Sequence, residues 1–314
     1  MQEDKDMQIA NLIMALPGAA AQGLIWGIMA IGVYLTFRVL DIADLTVDGT
    51  MCTGGAVCVM MMTSGHNVWV SLLVATLAGM TAGLVTGIFH TFMGIPAILA
   101  GILTQLSLYS VNLKIMGKAN QAINVDKFNL LVSLRRVKGV ALTQNTLFIV
   151  VIMIVVLIAV LYWFFGTELG CSLRATGCNP SMSRAQGINT DFCKVLGLMI
   201  SNGLVALSSA LLAQYQGFAD VNMGRGAIVI GLAAVIIGEA IFSRIFRNFA
   251  LRLLAVAFGS ILFYLVLQTV IWMGIDTDLL KMLSALVVAV FLAVPYWKGK
   301  YFAKPAKRGG KNNA

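Results

Sequence analysis

Charged residues are scarce in this sequence. Of its 314 residues, 11% are charged and 59% are hydrophobic, whereas an ordinary soluble domain has about 25% charged residues. A soluble chain of this length exposes a large surface that polar and charged side chains must keep in contact with water. The composition therefore excludes a soluble enzyme and a disordered or fibrous chain, and it predicts a polytopic membrane protein.

Metal ligands and catalytic motifs are also lacking. The chain has two histidines and five cysteines, and the cysteines form no C-x-x-C pair, so we expect no zinc site and no other metal site. The phosphate-binding pattern G-x-x-x-x-G-K-[ST] is absent, as are G-x-S-x-G and H-E-x-x-H. We therefore expect this chain to be no enzyme and to hold no cofactor of its own.

The net charge of +9 is concentrated at the end of the chain. Six of the 22 basic residues fall within the last 17 positions, directly after an apolar run, and such clusters mark cytoplasmic segments of membrane proteins. We therefore predict a transmembrane domain over 1–296 and a basic cytoplasmic tail over 297–314. This placement argues against nucleic-acid binding. The basic residues of the tail are Lys298, Lys300, Lys304, Lys307, Arg308 and Lys311.

Long apolar runs account for most of the sequence. A membrane-spanning helix needs about 20 apolar residues, and the runs predict an all-α polytopic membrane protein with about nine transmembrane helices. The runs are 17–38, 50–64, 67–92, 95–112, 144–166, 192–214, 226–243, 253–272 and 279–296.

The connections between these runs give an orientation. With the basic tail placed inside, the connections 167–191 and 244–252 also lie inside, and the N-terminus lies outside. The connection 113–143 then lies outside although it contains six basic residues, against the usual distribution of charge.

Two polar segments suggest an internal duplication. Asp44–Thr50 follows the first apolar run, and Asp220–Gly226 follows the sixth at a similar distance. With nine spans, the first and sixth run in opposite directions. Broken helices in two inverted-repeat halves are typical of transporters whose pathway lies between the repeats.

Together with Asp41, the first polar segment gives three aspartates, Asp41, Asp44 and Asp48, between two apolar runs. A charge at the bilayer centre costs about 2.5–3.5 kcal/mol, so the segment must face water, a partner charge or a cavity. We predict a helix broken at Asp48-Gly49 that borders the solute pathway, with Asp44, Thr46, Asp48 and Thr50 exposed to it. The alternative is a cytoplasmic turn in which Asp44 or Asp48 caps the next helix.

The second polar segment leads into a glycine-rich run, Gly224–Glu239. Arg225 lies between two glycines and is expected to pair with a buried carboxylate, which adds Arg225 and Glu239 to the predicted pathway. For Glu239 the alternative is a position at the membrane interface. Small residues also recur at Gly79, Gly83 and Gly87, a spacing that predicts close helix packing in lipid.

A third segment carries the signals of a short helix. Asn179 is a good N-cap, Pro180 suits the first turn, and Gly187 suits the left-handed position that ends a helix. About seven residues cannot span a membrane, so this helix lies in a cytoplasmic connection. It is either a docking element for a partner or a surface connector.

At these segments the chain resembles permease subunits of ATP-binding-cassette importers in the branched-chain amino-acid and monosaccharide permease family. The similar pattern is Leu173-Arg-Ala-x-Gly-x-Asn-Pro-x-x-x-Arg-x-x-Gly-Ile188, together with the helix Gly224–Glu239. Asp44-Leu-Thr-Val-Asp-Gly and Ile95-Pro-Ala-Ile-Leu-Ala-Gly are most similar to an uncharacterised branch, some members of which are linked to tryptophan or tyrosine uptake.

The resemblance implies partners that composition does not reveal. A second permease copy, two cytoplasmic ATPase subunits and an extracytoplasmic substrate-binding protein are expected in a bacterial inner membrane, with ATP and magnesium bound by the ATPases. The family's coupling helix maps onto Asn179–Ile188. An ion-coupled secondary transporter is the alternative function. The residues expected at the ATPase docking site are Arg174, Asn179, Pro180, Arg184, Gly187 and Ile188.

Overall fold

The computed structural model shows a chain that is largely helical. It describes residues 2–124, 128, 130–137, 145–242, 245–246, 248–273, 279, 282, 284–290 and 293, with side chains from Ala15 onward. The helices are α1 (Gln2–Tyr34), which continues as a π-helix (Leu35–Val39), α2 (Thr46–Thr63), α3 (Val68–Thr91), α4 (Ala97–Met116), α5 (Thr146–Phe165), α6 (Glu168–Cys178), α7 (Pro180–Ala185), α8 (Thr190–Gln216), α9 (Ala227–Phe242) and α10 (Phe249–Trp272). The strands are β1 (Asn120–Ala122) and β2 (Phe218–Asp220).

The predicted apolar runs match the observed helices closely. Eight of them coincide with α1, α2, α3, α4, α5, α8, α9 and α10. Within the described residues, six helices are long and apolar enough to cross a membrane, and α9 is a shorter apolar helix. The ninth predicted run, 279–296, lies largely outside the described residues, so the all-α membrane fold is confirmed and the number nine is not.

Helix α8 lies at the centre of the bundle and runs antiparallel to α1. The Ser208 hydroxyl donates to the Ile25 carbonyl oxygen at 2.7 Å, and the Ser201 hydroxyl donates to that of Gly32 at 2.8 Å. Because the residue numbers rise along one helix and fall along the other, the two helices have opposite directions. This is the relation predicted for the first and sixth apolar runs.

The glycines of α3 allow it to lie directly on α8. A Cβ atom on Gly83 would come within 2.3 Å of the Leu198 carbonyl oxygen, and one on Gly79 within 2.5 Å of the Asn202 carbonyl oxygen. Lipid does not drive helices together by the hydrophobic effect, and close backbone approach takes over that role. The prediction of tight packing at this glycine spacing is confirmed.

The predicted break at Asp48-Gly49 is wrong. The chain leaves the helix at residues 40–45, where Asp41 has a φ of +55°, and both Asp48 and Gly49 lie inside α2. The glycines of α2 serve packing instead, since a Cβ atom on Gly54 would come within 2.2 Å of the Ala206 carbonyl oxygen.

The bundle has two ends, which we name by what they carry. The ribbon face carries β1 and β2, which pair antiparallel, and the α7 face carries α6 and α7. Since α8 has 27 residues at a rise of 1.5 Å, these faces are about 40 Å apart. Residues 113–124 and 168–185 therefore lie at opposite ends of the bundle. This agrees with the predicted orientation, which placed the connections 113–143 and 167–191 on opposite sides of the membrane.

Candidate functional site

Helix α7 is defined by its own caps. The Asn179 side chain accepts a hydrogen bond from the Met182 amide at 3.0 Å, Pro180 occupies the first helical position, and Gly187 has a φ of +80°. The prediction of a short capped helix is confirmed. These bonds are local, so the shape of α7 depends little on the rest of the chain.

One side of α7 is anchored and the other is free. Ser183 is buried, and Arg184 donates from Nε to the Thr190 hydroxyl at 2.8 Å and forms an ion pair with Asp191. Met182 is 53% exposed on the outer side, and Ile188 is half-buried. The helix therefore presents an apolar side chain on a rigid support.

Arg174 belongs to a different surface. It lies on α6 with its guanidinium 5.4 Å from the centre of the Phe249 ring, at the start of α10. On the same helix Gly177 packs against the end of the π-helix, where an added Cβ would lie 1.8 Å from the Val39 carbonyl oxygen. Helix α6 thus connects α7 to the segment that leads into residues 40–45.

Asp44 lies at the centre of a buried polar network. Its carboxylate accepts from the Thr46 amide at 2.9 Å and from Asn202 Nδ2 at 2.7 Å, and Asn202 Oδ1 accepts from the Thr50 hydroxyl at 2.7 Å. Asn202 is the thirteenth of the 27 residues of α8, so this network lies halfway along the helix. Sequence reasoning missed Asn202, although an amide in the middle of an apolar run is itself a signal.

The network extends through hydroxyl groups to two further helices. The Thr46 hydroxyl bonds that of Thr86 at 2.7 Å, and Thr86 donates to the Thr104 hydroxyl at 2.9 Å. Asp44 is 3% exposed and Thr46 is fully buried. In this conformation the network is closed, and very little of Asp44 is accessible to a solute.

Asp48 binds the start of a helix that is distant in the sequence. Its Oδ2 accepts from the Gly226 amide at 2.9 Å, and its Oδ1 accepts from the Ile228 amide at 3.0 Å. These amides begin α9 and have no partner within their own helix. Both aspartates therefore bind helix N-termini, Asp44 that of α2 and Asp48 that of a distant helix, so the capping alternative is correct in part.

The other two predicted pathway residues lie at opposite ends of α9. Arg225 is exposed and directly precedes Gly226, whose amide binds Asp48 in the first turn of α2, and among the described residues no carboxylate pairs with it. Glu239 forms an ion pair with Arg38 near the α7 face, with Arg38 Nε donating to Oε2 at 3.0 Å. Arg38 was missed because 201 positions separate it from its partner. The six predicted pathway residues thus form three separate groups.

A cavity of about 270 Å³ lies beside one of these groups. Asp48, Tyr109, Asn112 and Arg225 are among the residues that line it. It lies between α2, α4 and the turn before α9, towards the ribbon face.

Comparison with known proteins agrees with this architecture. Residues 16–294 match the family model described as the branched-chain amino acid transport system permease component. The chain is 40% identical over 272 residues to a tyrosine transport system permease protein of Clostridioides difficile, covering 87% of this chain and 88% of that one. It is 37% identical over 279 residues to an uncharacterised protein of Rickettsia prowazekii, covering 88% and 95%.

A solved structure shares the fold. A chain of PsaBC from Streptococcus pneumoniae, solved in complex with Fab, superposes with a TM-score of 0.54 at 18% identity, covering 94% of this chain and 98% of that one. Together with the family match, these findings place the helices described above in a transport protein. The chain belongs to the family of permease components of branched-chain amino-acid transport systems, membrane-spanning subunits of ATP-binding-cassette importers.

Proposed function

We propose that this chain forms the translocation pathway of an importer for an amino acid with an aromatic side chain. An extracytoplasmic binding protein delivers the solute at the ribbon face, and two cytoplasmic ATPase subunits, which hold ATP and magnesium, bind at the α7 face. The solute class is supported by the relative named as a tyrosine permease. In this orientation the basic tail 297–314 lies inside a bacterial plasma membrane.

The observation that carries this proposal is the construction of α7. A docking element that receives force must keep its shape, and α7 is held by Asn179 at its start and by Arg184 on Thr190. The exposed Met182 suits an apolar groove on a partner, because methionine adapts its shape to such surfaces. A connector between two spans needs none of these features.

A continuous line of contacts leads from α7 to the buried network. Helix α6 directly precedes α7 in the chain. Its Gly177 lies against the carbonyl oxygen of Val39, and Val39 is five residues before Asp44. When the ATPases close, α7 and α6 push on the end of the π-helix, and the spans rock as rigid bodies. This movement opens the network that joins Asp44 to Asn202.

A second permease copy completes the pathway. Within one copy the network around Asp44 is closed, and the cavity lined by Asp48 and Arg225 lies towards the outside of the bundle between α2 and α4. A second copy supplies the missing wall. We therefore propose a homodimer that binds two ATPase subunits.

The docking site is tested with a pair of arginine substitutions. Gly187 and Gly65 have nearly equal φ angles, +80° and +88°, and open space where a side chain would begin. Gly187 lies beside α7, whereas Gly65 follows α2 on the ribbon face. We expect the nucleotide-binding subunit to co-purify with the parent chain and with Gly65→Arg, and to be lost from Gly187→Arg. Equal retention in both variants, with both folded, would place the docking site elsewhere.

A further inference from the structure

The cavity beside α2 and α4 has a wall of mixed chemistry. Its lining includes one acidic group, one basic group, two amides and an aromatic ring, which belong to Asp48, Arg225, Gln105, Asn112 and Tyr109. Its volume of about 270 Å³ is near the lower end of ligand pockets, which is about 300 Å³. The cavity is therefore of a size for one small molecule.

Asn112 has an unfilled hydrogen-bonding group in this wall. The side chain is fully buried, and its Nδ2 makes one long bond of 3.4 Å to the Gly49 carbonyl oxygen. Its Oδ1 accepts no hydrogen bond from any described residue. Buried acceptors in native proteins are satisfied by protein, water or ligand, so this oxygen indicates a donor that the chain does not supply.

The two charges of the cavity remain separate. Both Asp48 and Arg225 lie in the described part of the chain, and no ion pair joins them. Asp48 is held by the amides of Gly226 and Ile228, which leaves a second lone pair on each of its oxygens. The Arg225 guanidinium is exposed at the cavity. A solute with both a cationic and an anionic group matches this arrangement.

We propose that this cavity binds an amino acid as a zwitterion. The ammonium group donates to Asn112 Oδ1 on the side of Asp48, the carboxylate is bound by Arg225, and the side chain of the solute lies against Tyr109. The inference rests on the proposed import of amino acids and deepens it, because it places a recognition site in the permease as well as in the binding protein. The position towards the ribbon face suits a solute that arrives from the binding protein.

The site is tested by protection of a cysteine. Leu106 lines the cavity and is 64% exposed, whereas Leu113 lies on the same helix outside the lining. Leu106→Cys and Leu113→Cys are made in a full-length chain in which the exposed Cys171 and Cys178 are replaced by serine. The assembled complex in nanodiscs is then modified with a charged thiol reagent in the presence of L-tyrosine.

We expect L-tyrosine to slow modification of Leu106→Cys about tenfold, since a pocket of this kind buries most of its ligand. Modification of Leu113→Cys stays unchanged. Tyramine, which lacks the carboxylate, and 3-(4-hydroxyphenyl)propionate, which lacks the ammonium group, protect much less. Failure of the reagent to reach Leu106→Cys, or equal protection by all three compounds, would overturn the proposal.

Two further substitutions assign the contacts. Both substitutions are made in the Leu106→Cys chain. With Arg225→Gln, we expect tyrosine to protect the cysteine no better than tyramine does. With Asn112→Leu, we expect tyrosine to protect it no better than the propionate does. In each case the tyrosine concentration for half protection rises about tenfold, as for the loss of one charge-assisted hydrogen bond. Lys118→Gln, on the same face, is the control. A uniform loss for all compounds would indicate a structural role and contradict the assignment.

Uptake separates this inference from the proposed function. The parent chain and both cavity variants are reconstituted with the ATPase and the binding protein, and ATP-driven uptake of tyrosine is measured. Tyrosine uptake that is equal in all three, without cysteine protection, would overturn the cavity site and leave the proposed function intact. Absence of amino-acid uptake by the parent would overturn the proposed function, whereas cysteine protection would still decide the cavity site.

Discussion

Two segments interrupt the helices of this permease, and they differ in how their polar groups are satisfied. Residues 40–45 separate α1 from α2, and residues 217–226 separate α8 from α9. The first segment is tied to the centre of the bundle by Asp44, which is 3% exposed. The second begins at the ribbon face with β2 and ends at Asp48, and its Arg225 is exposed.

The carboxylates show the same asymmetry. Asp44 binds the first amide of the helix that follows it, whereas α9 receives no side-chain cap from its own segment and takes Asp48 from α2. Asp44, just before α2, and Asp48, in its first turn, therefore bind the helix N-termini at the two interruptions. The start of α2 thus contacts both the centre of the bundle and the segment before α9.

The largest effect is expected at the buried contact of the first segment. Asn202→Asp places a second carboxylate against that of Asp44, and breaking a buried polar pair in this way costs about 3–5 kcal/mol. The thermal unfolding midpoint of the detergent-solubilised chain should fall accordingly.

A compensating substitution makes this result specific. In the double variant Asp44→Asn with Asn202→Asp, the exchanged amide can donate to the exchanged carboxylate, and the Thr46 amide and the Thr50 hydroxyl keep their acceptors. We expect most of the lost stability to return. A double variant as unstable as Asn202→Asp alone would show that the bond between these residues does not matter.

An intermediate effect is expected at the second segment. Asp48→Ala removes the acceptors of the Gly226 and Ile228 amides, and loss of a helix cap costs about 1–2 kcal/mol. Hydrogen exchange at the start of α9 should become faster by the corresponding factor, about tenfold. Asp191→Ala, in the exposed first turn of α8, is the matched control, and unchanged exchange at α9 in Asp48→Ala would contradict the capping role.

The smallest effect is expected where α1 and α9 meet near the α7 face. Arg38 and Glu239 are partly exposed, with 49% and 28% of their side chains accessible, and exposed ion pairs contribute about 0.2–1 kcal/mol. Arg38→Gln should lower the unfolding midpoint slightly, and the exchange Arg38→Glu with Glu239→Arg should restore it. A loss that persists at about 1 M salt, where exposed charges are screened, would indicate packing by the arginine stem instead.

Local signals allowed α7 to be predicted from sequence. Its caps, Asn179 and Gly187, and its first residue, Pro180, act within a few positions of the helix they define. The apolar runs were equally informative, because a span is recognised by composition over about 20 residues.

The contacts that hold the interruptions were not predictable in the same way. Gly49 and Gly54 suggested a break, but they serve the approach of α4 and α8, which depends on how distant helices pack. The partners of Asp44, Asp48 and Glu239 likewise lie 158 to 201 positions away. Whether Asp44 and Asp48 line the solute pathway stays a prediction.

The self-contained construction of α7 has a consequence for how such transporters diversify. Because the six residues of this helix are shaped by bonds within their own neighbourhood, its exposed side chains, such as Met182, can be exchanged without disturbing the spans. If α7 binds the ATPases as proposed, selection for a new energy-supplying subunit can act on these side chains separately from the residues that contact the solute.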